Sequence, residues 1–320
     1  MTSSLDWGPQ INEVSFKANQ KLSVLRSVKL LSRQTLDLLY KITVRSVIDY
    51  ALPVYYKSLK MTDIARLENI QYRAGKIVTG AFHLTNKQKL NMELGWESIS
   101  QRGDILSLSF FHKVHLYETR PLIRTCMPKV NLEINPHTRS KIGYISSKYM
   151  GANFEKSFFP NTLKLWNSLP KNIQSRDLHD FKSEIKSRFK HPKYKHFSKG
   201  SKLGNSLLTK IRVGRSDLKQ HRFVIGLSDS PECLCHHKTE SPEHFFLDCF
   251  LYSLERRILF DLIEHFIPNF HKLTKNKKLD IVLKGVDIEN QELISTNITI
   301  TKAVQKYIIS SKRFTEMVKT

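Results

Sequence analysis

Apolar residues recur at helical spacing through the first eighty positions. Between Asn19 and Leu31, the residues Leu22, Leu25, Val28 and Leu31 fall at three-residue steps and mark one helical stripe. Ser32 is placed to cap a second helix, with Leu36, Leu39, Thr43, Val47 and Tyr50 on one side. That helix should end before Pro53, because the residue ahead of a proline is pushed out of helical geometry. Thr62 is placed to cap a third, with Ile64, Leu67, Gln71, Ala74 and Ile77 along one face and Gly80 as its stop. Three helices with short joints predict a compact antiparallel bundle. Two further helices, from Thr85 to Leu94 and from Ser98 to Tyr117, are split by Gly95.

After Thr119 the texture changes. Pro121, Pro128, Pro136, Gly143, Gly151 and Pro160 punctuate the next stretch and suit loops, so a domain boundary is expected within 119–150. A proline-bounded aromatic helix follows, from Phe158 to Pro170, and then a short amphipathic one with Phe181, Ile185 and Phe189 at i, i+4, i+8. Beyond Cys249, Leu251, Leu254, Ile258, Leu262 and Phe266 predict the apolar face of another helix, ended by Pro268, with Arg256 and Arg257 outside it. Leu279 opens a short apolar run. A last helix, from about Ile298 to Val318, sets Ala303, Tyr307 and Phe314 beside Lys302, Lys306, Lys312 and Arg313. The pattern therefore predicts a mainly α protein in three parts: a helical domain at 1–118, a Pro-rich connector with short helices at 119–199, and a basic helical module at 200–320.

Charge changes the picture next. The 320 residues carry 52 Lys and Arg against 29 Asp and Glu, a formal net charge of +23. Such a surplus says little about fold, but it draws the chain to polyanions. From Lys182 to Arg222 there are 13 basic residues against Glu184 and Asp217, interleaved with Phe189, Tyr194, Phe197, His191, His196 and His221. Cations follow phosphates and aromatic faces stack on bases, so the mixture suits RNA or DNA. Gly200 and Gly204 suit a linker within it. The polar faces of the first helices are also basic. Candidate phosphate contacts are Lys29, Arg33, Arg45, Arg73, Lys76, Lys186, Lys190, Lys193, Arg212, Arg215 and Arg222. No uncharged apolar run reaches the length of a membrane span, and the first residues lack the basic and apolar regions of a signal peptide. No Ser/His/Asp set with local support and no Gly-rich phosphate loop suggests a small-molecule substrate.

The cysteines carry the sharpest chemistry. Cys233, Cys235 and Cys249 lie within 17 residues, while Cys126 stands apart as an ordinary thiol. With His244 they spell C-x1-C-x8-H-x4-C. Three thiolates and one imidazole fill the tetrahedron zinc prefers and leave no open position, so the ion would be structural. A reducing, intracellular setting, nuclear or cytoplasmic, follows from that usage. The His244–Cys249 gap is one helical turn plus one residue, which fits a helix begun by Pro242 and Glu243. One residue between Cys233 and Cys235 is tight for a knuckle turn, and His236 or His237 is an alternative to Cys235 as ligand.

Together these segments resemble the C-terminal region of non-LTR, LINE-type (jockey- or CR1-like) retrotransposon reverse transcriptases. The likeness rests on Leu38-Leu39-Tyr40-Lys41 through Ser46-Val47-Ile48-Asp49-Tyr50-Ala51 and on Leu67 to Gly80. It also rests on Phe159-Pro160 through Trp166-Asn167-Ser168-Leu169-Pro170 and on the Cys233/Cys235/His244/Cys249 cluster; Tyr307-Ile308 and Lys312-Arg313-Phe314 match the closing helix. The resemblance implies that the first three helices act as a polymerase thumb gripping template and primer, and that the cysteine module is a zinc-knuckle-like element engaging nucleic acid. Polymerisation in that family needs paired aspartates in a Tyr-x-Asp-Asp motif, because two metal ions need adjacent carboxylates. No Asp-Asp pair occurs here, and the chain's beginning resembles the stretch just after the palm. The expectation is a non-catalytic RNA- or DNA-binding fragment. Its rivals are one piece of an active polymerase whose palm is encoded upstream, a zinc-stabilised adaptor for a partner protein, and a degenerate reading frame.

Overall fold

The computed structural model describes residues 6–117, 155–189, 194–286 and 293–314. The chain is mainly α-helical, as the periodicity predicts, and no strand occurs among the described residues. The boundary expected within 119–150, together with Cys126, Lys190 and Lys193, lies outside the described residues.

Helix α1 spans Gly8–Ser27 and begins well before the predicted stripe, burying Ile11, Val14 and Ala18 as well as Leu22 and Leu25. Leu31 lies beyond its end and is exposed. Ser32 caps α2, Arg33–Leu39, accepting a hydrogen bond from the Thr35 amide at 3.2 Å. The run then passes through a π-helical turn, Tyr40–Arg45, into α3, Ser46–Asp49. Its buried face is Leu36, Tyr40, Val44 and Ile48, not the expected Leu39, Thr43, Val47 and Tyr50. A four-residue step drifts around an α-helix. The wider π turn reverses that drift and keeps every fourth side chain inward. Ala51, at φ 55°, turns the chain before α4, Leu52–Tyr55, where Pro53 sits in the first turn.

Helix α5, Met61–Thr79, buries Leu67, Ile70, Ala74 and Val78, and Gly80 at φ 70° ends it. Asn86 caps α6, Lys87–Leu94, and Gly95 at φ 61° closes it; α7 follows at Ile99–Tyr117. Then come α8 at Phe158–Asn167, α9 at Lys171–Gln174 and α10 at Leu178–Phe189. The C-terminal stretch supplies α11, Lys202–Arg212, α12, Lys219–Val224, α13, Ser253–Phe266, α14, Lys275–Lys284, and α15, Ile294–Ser310.

Two compact units emerge, each assembled from separated stretches. The first comprises Met1–Leu22, Ile42–Gln71 and Glu97–His191. Its core joins Ile105, Leu108 and Phe111 of α7 to Leu163 and Trp166 of α8 and to Phe181 and Ile185 of α10. The second comprises Ser23–Lys41, Tyr72–Trp96 and Pro192–Thr320. Its core gathers Leu207, Leu208 and Ile211 of α11, Phe245 and Phe246, Leu259 and Ile263 of α13, and Val304, Tyr307 and Ile308 of α15. Where a linker is expected around Gly200 and Gly204, Gly204 instead lies on the core helix α11 and Gly200 just ahead of it. A Cβ at Gly204 would stand 2.7 Å from the Gln305 side chain, so glycine there permits close approach of α11 and α15 rather than looseness.

Candidate metal centre and basic surface

The segment 231–252 folds back on itself through short-range backbone bonds. The Glu240 amide donates to the Pro231 carbonyl at 2.7 Å, and the Cys233 amide donates to the His237 carbonyl at 2.9 Å. His236 completes the tight turn at φ 65°, its amide donating to the Cys233 carbonyl at 2.9 Å. That left-handed residue lets a single residue separate the two thiols. A helix then starts at Pro242 and Glu243, with the Ser241 hydroxyl accepting from the His244 amide at 3.0 Å. It widens at once into a π turn over His244–Asp248. The Cys249 amide donates to the His244 carbonyl at 2.8 Å, five residues back. This widened turn is what a four-residue gap needs to bring both side chains to one point.

Four ligand atoms converge as a result. Those of Cys233, Cys235, His244 and Cys249 all lie within 4.8 Å of one another. Cys233 Sγ is 3.8 Å from Cys249 Sγ, and Cys235 Sγ is 3.1 Å from His244 Nε2. A tetrahedron with metal–sulfur bonds of about 2.3 Å has sulfur–sulfur edges of about 3.8 Å, so the cluster can hold a metal ion and its donor set is compatible with zinc. Cys233, His244 and Cys249 are buried and Cys235 half-buried. Without a cation, burial pushes the Cys233 thiol up to about 12 and raises Cys249 as well. A cation would convert that unfavourable enclosure of thiolates into a bonded one. The gathered set includes Cys235 and neither neighbouring histidine. His236 points outward, 3.4 Å from Glu232, while the His237 ring stacks on His244 with centroids 4.1 Å apart and braces its plane. His244 Nδ1 is buried without a hydrogen-bond partner.

The loop is fastened to its unit by polar clamps that sequence reading missed. Glu240 is fully buried, and both its oxygens accept from Arg313 at 2.6 Å; one also accepts from the Lys219 amide at 2.7 Å. Tyr307 donates to the Phe245 carbonyl at 2.5 Å, and Arg256 to the Cys249 carbonyl at 2.7 Å. Phe245 packs against Tyr252, Tyr307 and Phe314. The aromatic pair after His244 was a signal for such anchoring. The partners of Glu240 are too distant in sequence to have given one.

The cations proposed for phosphate divide into groups. Arg33 and Arg212 do not face solvent as the sequence suggests; both are buried around Glu93. Arg33 Nη1 is 2.9 Å and Arg212 Nη2 2.5 Å from Glu93 Oε1. Thr209 donates to the same oxygen at 2.9 Å, and the Arg212 guanidinium lies 3.6 Å over Phe197. Burial opposes the charged form of Glu93, but Arg212 and Arg33 outweigh it and hold the carboxyl below its ordinary range. Arg45 is half-buried, 3.8 Å from Glu97. Arg222 is half-buried and donates to the Leu227 carbonyl at 3.2 Å. Lys186 is exposed on α10.

Several further cations of the second unit are close enough to shift a neighbour. Burial, then Arg73 and Arg26, depress the Lys76 ammonium below its ordinary value. Burial and Lys29 do the same to Lys202, and burial with Arg215 and Lys89 to His221. Lys76 and Lys87 lie 4.7 and 5.6 Å from the centroid of the Tyr72 ring. Among the described residues none of Arg26, Lys29, Lys76 and Lys202 forms an ion pair. Arg26, on the basic polar face of the first helices, and Lys202, within the basic stretch 182–222, stand with these cations though neither was among the candidate phosphate contacts. No helix among the described residues is long and apolar enough to cross a membrane. No family model, curated protein or solved structure matches the chain.

Proposed function

We propose that this chain is a nucleic-acid-binding module of the non-LTR reverse-transcriptase type, gripping RNA or DNA through phosphates, with a structural zinc ion holding its cysteine loop. The observation that carries this reading is the closed Cys3His cluster in the same unit as the crowded cations Arg26, Lys29, Arg73, Lys76 and Lys202. Cations that depress one another gain most from an anion placed between them, and a phosphate chain supplies such anions at regular spacing. The ion would be held by Cys233, Cys235, His244 and Cys249, and with four protein ligands it would offer no open position for chemistry. The sequence holds no Asp-Asp pair, so the proposed role is binding and not polymerisation.

Fluorescence anisotropy with a labelled single-stranded RNA and with an RNA–DNA duplex tests the grip across a salt series. Affinity should fall steeply with salt, and the double substitution Arg26→Ala/Lys76→Ala should lower both affinity and slope. Affinity that does not change between low and moderate salt would count against the reading. Elemental analysis of the purified protein should find about one zinc per chain, lost in Cys249→Ser.

A further inference from the structure

The apolar stripe of α13 faces the wrong way for a core. Leu254 and Ile258 are 60% and 58% exposed, while Leu259 and Ile263 of the same helix fill the interior. The outward stripe forms one wall of a groove whose other wall is α15. Leu254, Ile258, Leu259 and Leu262 line one side, and Thr299, Ala303 and Tyr307 the other, around a volume of about 500 Å³. Ala303 contributes only a methyl group to the α15 wall. Lys302 and Lys306 stand exposed along the α15 rim, one helical turn apart, and neither forms an ion pair among the described residues. Glu255 is the acidic residue on the α13 side.

We propose that this groove binds an amphipathic helix of a partner protein, one whose apolar stripe is bordered along one edge by aspartate or glutamate. Leu254, Ile258 and Leu262 span about 12 Å of helix axis, enough to seat two turns of an incoming helix at i, i+4 spacing. The lysine rim selects an acidic edge and, with Glu255 opposite, sets the orientation of the guest. A second copy of this chain is a poor occupant. It carries the same lysines to the interface on a chain of net charge +23. Nucleic acid is a poor one as well, since the aromatic lining residue, Tyr307, is buried with its hydroxyl already bonded to the Phe245 carbonyl and offers bases no open stacking face. The surface is distinct from the cations of the proposed nucleic-acid grip, so either reading can fail without the other.

The test uses the full chain as purified and two labelled helical peptides with a leucine stripe, one edged with glutamate and the other with lysine in its place. Anisotropy should show the glutamate-edged peptide bound about fivefold tighter or more, the sum expected from two rim pairs. Leu254→Ser/Ile258→Ser should weaken it by about tenfold or more while leaving single-stranded RNA binding unchanged. Both sites are exposed, so circular dichroism should show an unaltered fold. Lys302→Glu/Lys306→Glu should invert the preference between the peptides. The proposal is overturned if neither peptide binds, or if the charge reversal leaves their order unchanged. It is equally overturned if the chain dimerises in sedimentation and the dimer is lost in Leu254→Ser/Ile258→Ser, which would assign the groove to a second copy.

Discussion

The α7–α8–α10 core of the first unit and the cysteine loop of the second solve the same problem with different means. The first brings three amphipathic helices together around Trp166, Phe111 and Phe181, with Trp166 and Phe111 centroids 5.0 Å apart. Each such side chain contributes about 2–3 kcal/mol by leaving water, and the helices satisfy their own backbone groups. The loop of 231–249 has no helix long enough for that. Its turn and π turn are closed by individual hydrogen bonds, by the Glu240–Arg313 pair and by four convergent ligand atoms. Long periodic segments hold themselves by area, whereas a short irregular one needs a few strong directional bonds.

The largest effect should come from removing the proposed zinc ion from the Cys233/Cys235/His244/Cys249 cluster. Structural zinc supplies on the order of 10 kcal/mol of binding free energy that is also folding free energy. Chelation, or Cys249→Ser, should release amide protection at Phe245, Phe246 and Tyr307 in hydrogen exchange while α7, α8 and α10 keep theirs. Equal protection with and without chelator would break the comparison. Next is Trp166→Ala in the first unit, at about 4 kcal/mol from lost transfer and a cavity. Urea denaturation should record that loss, and zinc content should stay unchanged.

A smaller effect belongs to the buried ion cluster of the second unit. Glu93→Gln leaves Arg33 and Arg212 facing one another without compensation and should cost about 3 kcal/mol. The Glu93 carboxyl is held below its ordinary value, so its stabilisation is present at neutral pH and is lost as acidification passes down through that lowered value. The acid limb of stability against pH should flatten in Glu93→Gln. The smallest effect is at His112, stacked 3.9 Å from Phe181 and bonded through Nε2 to the Arg176 carbonyl at 3.0 Å. Burial lowers its imidazole below the ordinary histidine value. Its contribution is complete above about pH 6.5 and declines below it, a window higher than that of Glu93. NMR titration of the His112 ring should show the lowered midpoint, and His112→Phe should remove that limb.

Local features were legible in residue order. The Ser32 cap, the Gly80 and Gly95 stops and most of the helices follow from capping chemistry and 3.6-residue periodicity. The spacing singles out Cys233, His244 and Cys249 as candidate ligands and leaves the fourth place to Cys235, His236 or His237; the folded loop brings Cys235 to the cluster. The buried face between Leu36 and Ile48 departs from the periodic expectation because a π turn shifts the period without any signature in composition. The apolar face expected on α13 divides in the fold between the exposed Leu254 and Ile258 and the buried Leu259 and Ile263, since periodicity marks a stripe without saying what covers it.

Residue order by itself determined the mainly helical class, several helix ends and three donors of the cluster, Cys233, His244 and Cys249, because hydrogen bonding to the nearest backbone groups and the chemistry of thiol and imidazole act over a few residues; the fold decided for Cys235 over His236 and His237. Tertiary structure alone decided which cations remain available to an anion and which apolar face stays open. Arg33 and Arg212 meet Glu93 across 60 and 119 positions of chain. Burial and Coulomb pairing depend on neighbours in space, and only the folded chain supplies them.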